Sequence, residues 1–498
     1  MNNEDSPDQL DHSFEMDLET VKSRAIRGIA IITGRGFLVN IISQVSVFFL
    51  ITFMSPEQMG VFWVVNAAVF FLVYFSDIGL AAALIQKKDR LTDEDLHTTF
   101  TIQQSLIILL LIVLHFASPY LIKVYSLDQE GLYLLYAVGF SLLLASLKSI
   151  PTVLMERKLE FGKMAVPDIL ENFVYSVSVV YFAWRGYGLR AFTYAVLIRG
   201  VVGVITIYLI QPWMPKIGFS KKALKGLFSF GVPYQLNTLI SVFKDRGMTL
   251  IMGKVITTSG VGYLGTAERF SQMPLRLFMD PVTKVSFPAF SRMQDHKEEL
   301  ANTTTRTMFF ITFLTYPVLV GMVLILPLFM QVFPVYQKWE ASLIPLFFMA
   351  INVFFAAATT LLTNLLSAIG RIKTVTKLIT MWTVLTIIFV PTLGYKFGVN
   401  GAAAGYAIVS SSSIIAIYIA HKHVKFSLLE GALKPLLSAF LMGLTIFALK
   451  AVLSASILNM VVIIIFGGLS YLVFSYLLFG KKLFTDAKRL TKVFLGKR

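Results

Sequence analysis

Cysteine is absent from this chain of 498 residues, which excludes disulfides, thiolate metal sites and cysteine nucleophiles. Charge is scarce, 14% of residues against 56% hydrophobic ones, a balance far outside that of soluble globular domains. No Walker A sequence occurs, which argues against ATP hydrolysis by the chain itself. The six histidines show no metal-ligand spacing, and His115, near the end of an apolar run, reads as an interfacial residue. No connection between apolar runs exceeds roughly 20 residues, too few for a folded catalytic domain, so the chain reads as something other than an enzyme. Nor does any run alternate with the ten-residue pattern of a membrane β-barrel.

What is present is a series of apolar runs of roughly 20 residues bounded by charged or Gly/Pro-containing turns, about fourteen in all. The first covers about 29–54, the second about 59–85 and the last about 457–479. The reading is therefore an all-α integral membrane protein. Basic residues concentrate in alternate connections, among them Lys87, Lys88, Arg157, Lys158, Lys221, Lys222, Arg371, Lys422 and Lys425. By the positive-inside rule those connections and both termini are cytoplasmic. The net charge of +16 is then mostly this bias, and no nucleic-acid partner is called for. Residues 1–21 form an acidic disordered leader with neither a basic n-region nor a cleavage site, so the first span is expected to serve as the insertion signal. Trp184, Trp213 and Trp339 fall near span ends, where interfacial anchors sit.

A faint internal repeat runs through the chain. Gly60 corresponds to Gly262 and Asp77 to Asp280, and Glu94-Asp95-Leu96 before Thr98-Thr99 to Glu298-Glu299-Leu300 before Thr303-Thr304. The order is preserved and the offset drifts only from about 202 to about 204 residues. Later, Gly188 with Tyr194-Ala195-Val196 resembles Gly398 with Tyr406-Ala407-Ile408. Spans 1–6 (residues 22–225) and 7–12 (226–425) read as two parallel six-helix lobes around a central cavity. Spans 13 and 14 (426–480) follow, then a basic cytoplasmic tail (481–498). Parallel repeats of this kind place a transporter's site between the lobes near the bilayer midplane.

The most informative stretch carries charges where lipid is expected: Gly262, Gly265, Arg269, Gln272, Arg276 and Asp280 recur at three- and four-residue spacing. On a helix they share one face. A charge near the bilayer centre costs roughly 2.5–3.5 kcal/mol on insertion scales, so two arginines on one stripe imply water, a partner or a polar ligand. Other deep cations are Arg35, Arg199, Lys244 and Arg246, and the deep acids are Asp77, Asp245, Glu268 and Asp280. Asn237, Ser241 and Asp245 share a face, as do Asn66 and Asp77. Two readings stand side by side. The charges are internal ion pairs that hold helices in register, for instance Asp77 or Asp280 with Arg35 or Arg246, or they contact a ligand. Small residues opening space beside Arg269 and Arg276 favour the ligand there. Gly260-Val261-Gly262-Tyr263-Leu264-Gly265 formally matches a dinucleotide fingerprint, but with no strand before it the match reads as a tight turn and close helix packing.

The motifs Met155-Glu156-Arg157-Lys158-Leu159-Glu160-Phe161, Gly262-Tyr263 with Ala267 and Pro274, Phe287-Pro288-Ala289-Phe290-Ser291-Arg292-Met293-Gln294-Asp295, Ser76-Asp77-Ile78-Gly79 and Lys338-Trp339 complete the sequence reading. Together they resemble the Wzx-type polysaccharide flippases of the multidrug/oligosaccharidyl-lipid/polysaccharide exporter superfamily, colanic-acid-type exporters most of all. The resemblance implies a flippase in a bacterial cytoplasmic membrane that moves polyprenyl-pyrophosphate-linked oligosaccharide units to the outer leaflet by alternating access, for capsule, exopolysaccharide or O-antigen assembly. Its partners would be that substrate, membrane lipids and other polysaccharide-assembly proteins. It implies substrate contacts at Arg35, Asn66, Asn237, Ser241, Lys244, Arg246, Arg269, Gln272 and Arg276. No cofactor is implied beyond a proton or sodium gradient, coupled through Asp77, Asp245 or Asp280. A lipid II flippase, a multidrug exporter of the same superfamily and a membrane glycosyltransferase or polymerase are the alternatives.

Overall fold

The computed structural model describes residues 18–77, 79–87, 90–224 and 247–480, and among them every regular element is helical. Helices are the economical answer to an apolar solvent, since each satisfies its own backbone polar groups. The chain divides into two compact units, residues 1–262 and 263–498. Nine stretches among the described residues are long and apolar enough to cross a membrane.

The first unit comprises α1 (Leu18–Phe53), α2 (Pro56–Asp77), α3 (Leu80–Gln86), α4 (Asp93–Tyr125), α5 (Gln129–Leu147), α6 (Ser149–Arg157), α7 (Phe161–Trp184), α8 (Arg190–Ile210), α9 (Met248–Val255) and the first turns of α10 (Thr257–Arg292). The single second span expected over 59–85 is two helices, because the chain turns at Gly79, whose φ of 73° suits a residue without a Cβ. Helix α7 packs against α1 and α8. Its exposed apolar residues Val166, Leu170, Phe173, Val177, Tyr181 and Trp184 keep the three- and four-residue rhythm of one helix face.

Helices α2 and α10 meet through glycine. A Cβ on Gly262 would lie 1.9 Å from the Pro56 carbonyl oxygen, and one on Gly60 would lie 1.8 Å from that of Thr258. The contacts are reciprocal, Gly60 to Thr258 and Gly262 to Pro56. These residues correspond at the repeat's offset of about 202. The apparent dinucleotide fingerprint is thus a helix-packing surface.

The second unit holds the rest of α10, α11 (Lys297–Val332), α12 (Leu343–Ala368), α13 (Ile372–Ser411, two helices joined at Gly398), α14 (Ser413–His423), α15 (Lys434–Val452) and α16 (Ile457–Phe479). The last coincides with the expected final span. Its core gathers around Leu361, Leu362, Leu365 and Leu366, all fully buried. Pro317 inside α11 has no N–H for the Phe313 carbonyl. Tyr471 of α16 supplies the missing donor, its hydroxyl giving a 2.8 Å hydrogen bond to that oxygen. Pro119 of α4 leaves the His115 carbonyl in the same position, and Ser118 donates to it at 2.8 Å.

Each unit also repeats a tether. The Ser220 amide donates to Thr98 Oγ1 at 3.0 Å, and the Ser427 amide to Thr305 Oγ1 at 3.0 Å. Both serines then accept from the amide three residues on, Ala223 and Glu430. Phe219-Ser220 and Phe426-Ser427 are therefore equivalent, a repeat signal too short to register in the sequence, and Thr98 corresponds to Thr305, two residues beyond the Thr303 it was matched with in the sequence.

Trp184 is exposed at the end of α7, as an interfacial anchor should be, whereas Trp213 and Trp339 are buried. Their rings pack edge-on against Phe100 and Tyr263 respectively, so aromatic packing overrides the interfacial preference. His115 is exposed, with Nδ1 3.1 Å from the Tyr136 hydroxyl.

A Gly262→Val variant should force α2 and α10 apart, since three added carbons meet backbone rather than a yielding side chain. The expected loss is at least about 1–3 kcal/mol, read as a lower midpoint of thermal unfolding by intrinsic fluorescence.

Candidate functional site

Two carboxylates lie inside the apolar part of α7, three residues apart, and each collects cations from neighbouring helices. Asp168 is in direct ion-pair contact with Arg35 of α1. Glu171 accepts from Lys148 Nζ, just beyond the end of α5, at 2.5 Å, and lies 3.6 Å from Arg199 Nε of α8. Its carboxylate lies against Gly203, where a Cβ would come within 2.1 Å of Oε1. Burial grades through the group: the Glu171 side chain is 6% exposed and Lys148 18%, while Arg35, Asp168 and Arg199 are 32%, 46% and 42% exposed. Buried charge without a partner costs several kcal/mol, so the Lys148–Glu171 pair is a condition for folding these helices together.

Asn172 and Tyr175 continue the polar face of α7 beyond Asp168 at helical spacing. Asn172 Nδ2 donates to the Asp168 carbonyl at 2.8 Å, and the Arg199 guanidinium stands 5.7 Å from the centre of the Tyr175 ring. Sequence reasoning missed Asp168, Glu171, Lys148, Asn172 and Tyr175. Asp168 follows Pro167 close to the basic Lys163 end of the run, where charge looks like connection. The available signal was the period itself: Asp168, Asn172 and Tyr175 each sit two residues after a lipid-facing Val166, Leu170 or Phe173.

Of the residues singled out in the sequence, Arg35 pairs with Asp168 of α7, a partner the sequence reading did not offer. The reason is reach: α1 packs along α7, whose carboxylate is at hand. Asn66 is half-buried, its Nδ2 donating to the Phe62 carbonyl at 2.8 Å. Gly262, Gly265, Arg269, Gln272, Arg276 and Asp280 all fall on the single helix α10. There Arg269 and Gln272 are half-buried, and Arg276 and Asp280 exposed. Asn237, Ser241, Lys244, Asp245 and Arg246 lie outside the described residues, as does the side chain of Asp77, which closes α2.

The Met155–Phe161 motif is a clamp. Arg157 Nη1 donates to the Leu84 and Lys87 carbonyls at 2.9 and 2.7 Å, closing the end of α3. Arg24 donates to the Lys158 carbonyl at 3.0 Å, and Lys163 pairs with Glu160 at 2.9 Å. Burial raises the Glu156 carboxyl above its ordinary range. This motif holds α1, α3 and α7 at the basic end of the unit.

Comparison with known proteins adds the following. A family model described as polysaccharide biosynthesis protein matches residues 49–344. The succinoglycan biosynthesis transport protein ExoT of Rhizobium meliloti is 22% identical over 54% of the chain and 54% of that protein, so the alignment spans about half the relative's length. The lipopolysaccharide biosynthesis protein WzxC of Escherichia coli is 21% identical over 69% of the chain and 70% of its own length. Among solved structures, the lipid II flippase MurJ in an inward closed conformation superposes with a TM-score of 0.73 at 18% identity, covering 91% of this chain and all of the other. The chain has that fold and is a multi-pass membrane protein.

Removing one member of the buried pair should be worse than removing both. Lys148→Met and Glu171→Gln singly are expected to cost about 3–5 kcal/mol, and the double variant to recover part of the loss, measured as unfolding midpoints of the purified proteins in detergent.

Proposed function

The chain belongs to the polysaccharide biosynthesis protein family, and on that premise we propose that it is a flippase for polyprenyl-pyrophosphate-linked oligosaccharide units. It moves them from the inner to the outer leaflet of a bacterial cytoplasmic membrane by alternating access, with both termini in the cytoplasm. The observation that carries the reading is the α10 stripe in a chain of this family and fold: an unbroken helix bearing Arg269, Gln272 and Arg276 at three- and four-residue spacing, the last of them exposed. Arginine suits oxyanions because its planar fork makes paired hydrogen bonds. In this reading the stripe, with Lys244 and Arg246, attracts the pyrophosphate or acidic sugars, while Asn66, Asn237 and Ser241 bond sugar hydroxyls.

Arg35 has a narrower role here than the sequence suggests, since Asp168 neutralises it. The names of ExoT and WzxC support transport in polysaccharide assembly, and other assembly proteins are the natural partners. A membrane potential negative inside favours outward movement of an anion by roughly 2.3 kcal/mol per charge per 100 mV. Asp77, Asp245 and Asp280 are the groups we assign to proton or sodium coupling, with Asp280 exposed on α10.

The test is translocation in vesicles. Protein reconstituted with a defined lipid-linked oligosaccharide should expose it to an impermeant enzyme on the far side, and lipid II should be moved at most slowly. The Arg269→Ala/Arg276→Ala protein should lose at least about tenfold in rate, the scale of one lost charged contact of about 1.4 kcal/mol. Full transport by the double variant would remove the stripe from the site, and preference for lipid II would replace the cargo.

A further inference from the structure

We propose that the first unit carries a subsite for one acidic sugar, a uronate-type carboxylate, built by Arg199, Asn172 and Tyr175. It rests on the flippase reading and names the cargo more narrowly. On α7 the exposed apolar residues are Val166, Leu170, Phe173 and Val177, and on α8 they are Tyr194, Val201, Ile205 and Leu209, the stripes we assign to lipid. Asp168, Asn172 and Tyr175 each follow a lipid-facing residue by two positions, and Arg199 precedes Val201 by two. Two positions turn a helix by about 200°, so all four point to the side opposite the lipid stripe. They are nevertheless not sealed in the core: the Arg199 side chain is 42% exposed, and Asn172 and Tyr175 are half-buried. A face turned from lipid and still accessible is a face for water or cargo.

Charge comes next. Among the described residues, Arg35, Lys148 and Arg199 face Asp168 and Glu171, which leaves one positive charge over in this group. Arg35 is matched by Asp168 and Lys148 by Glu171, so the surplus belongs to Arg199. Its Nε is 3.6 Å from Glu171, an ion pair beyond hydrogen-bond length, and none of its five N–H donors is hydrogen-bonded among the described residues. The guanidinium is steadied over the Tyr175 ring, 5.7 Å from its centre, and an aromatic face of this kind also packs on the apolar side of a pyranose. Asn172 spends an N–H on the Asp168 carbonyl and keeps its side-chain oxygen as an acceptor for a sugar hydroxyl. One surplus cation, one aromatic and one amide acceptor match a sugar bearing one carboxylate. A pyrophosphate would bring more negative charge than Arg199 alone balances.

The experiment is saturation-transfer NMR on the full chain in lipid nanodiscs with glucuronic acid and glucose as probes and inorganic pyrophosphate as a silent competitor. Glucuronic acid should bind saturably, glucose at least about tenfold more weakly, and pyrophosphate should displace glucuronic acid at least about tenfold less effectively than unlabelled glucuronic acid does. Arg199→Gln should weaken glucuronic acid at least about tenfold, with Arg199→Lys between it and the parent. Unchanged binding in Arg199→Gln overturns the subsite, and so does pyrophosphate displacing glucuronic acid as effectively as glucuronic acid itself, which would assign the charge to the lipid carrier instead. Should Arg199→Gln not fold, Tyr175→Ala and Asn172→Ala decide, since unchanged glucuronic acid binding in both also overturns it. A protein that translocates lipid-linked oligosaccharide yet ignores glucuronic acid sinks the subsite and leaves the flippase standing. One that binds glucuronic acid through Arg199 yet translocates nothing does the reverse.

Discussion

Carrying a charge into hydrocarbon is the constraint from which this structure follows, and Glu171 is where it bears hardest. The carboxylate is almost fully buried inside a helix whose opposite face meets lipid, and Lys148 and Arg199 approach it from two other elements. Lys148, Glu171 and Gly203 fix α8 and the end of α5 against α7, as Arg35 and Asp168 fix α1. Direct pairing satisfies the inner groups. The outer ones are left partly exposed, and among the described residues one cation is left over. A fold assembled by pairing charges in this way comes with a polar surface already aimed away from lipid.

The repeat acts on the same scaffold. Gly60 and Gly262 are equivalent in sequence and meet each other's neighbours in space. The Thr98–Ser220 and Thr305–Ser427 tethers reproduce one connection in both units. Small residues and single hydroxyls are enough because a helix in lipid already satisfies its own backbone. What remains to specify is where one helix touches the next.

Legibility in the sequence divided along physical lines. Apolar run length found α16 to the residue, since a span is set by bilayer thickness and nothing interrupts Ile457–Phe479. The same criterion fused α2 and α3, because one left-handed glycine changes backbone direction without changing hydropathy. The α10 stripe was plain because its charges sit mid-run at helical spacing. Asp168 and Glu171 were not, because they lie near a basic end, and pairing across helices leaves no mark on either partner's own segment. Trp213 and Trp339 misled for a related reason: position along a run says where a residue sits in depth, not which way its ring turns.

The account therefore sorts membrane-embedded charges into those that join helices and those that meet cargo, and a charge swap separates the two. Polymer export should be compared in cells carrying Arg35→Asp, Asp168→Arg and both together. The account predicts that each single change abolishes export by unfolding the first unit and that the swap restores a substantial part of it. Normal export by Arg35→Asp alone, or a swap no better than the singles, would contradict the assignment of this pair to the scaffold.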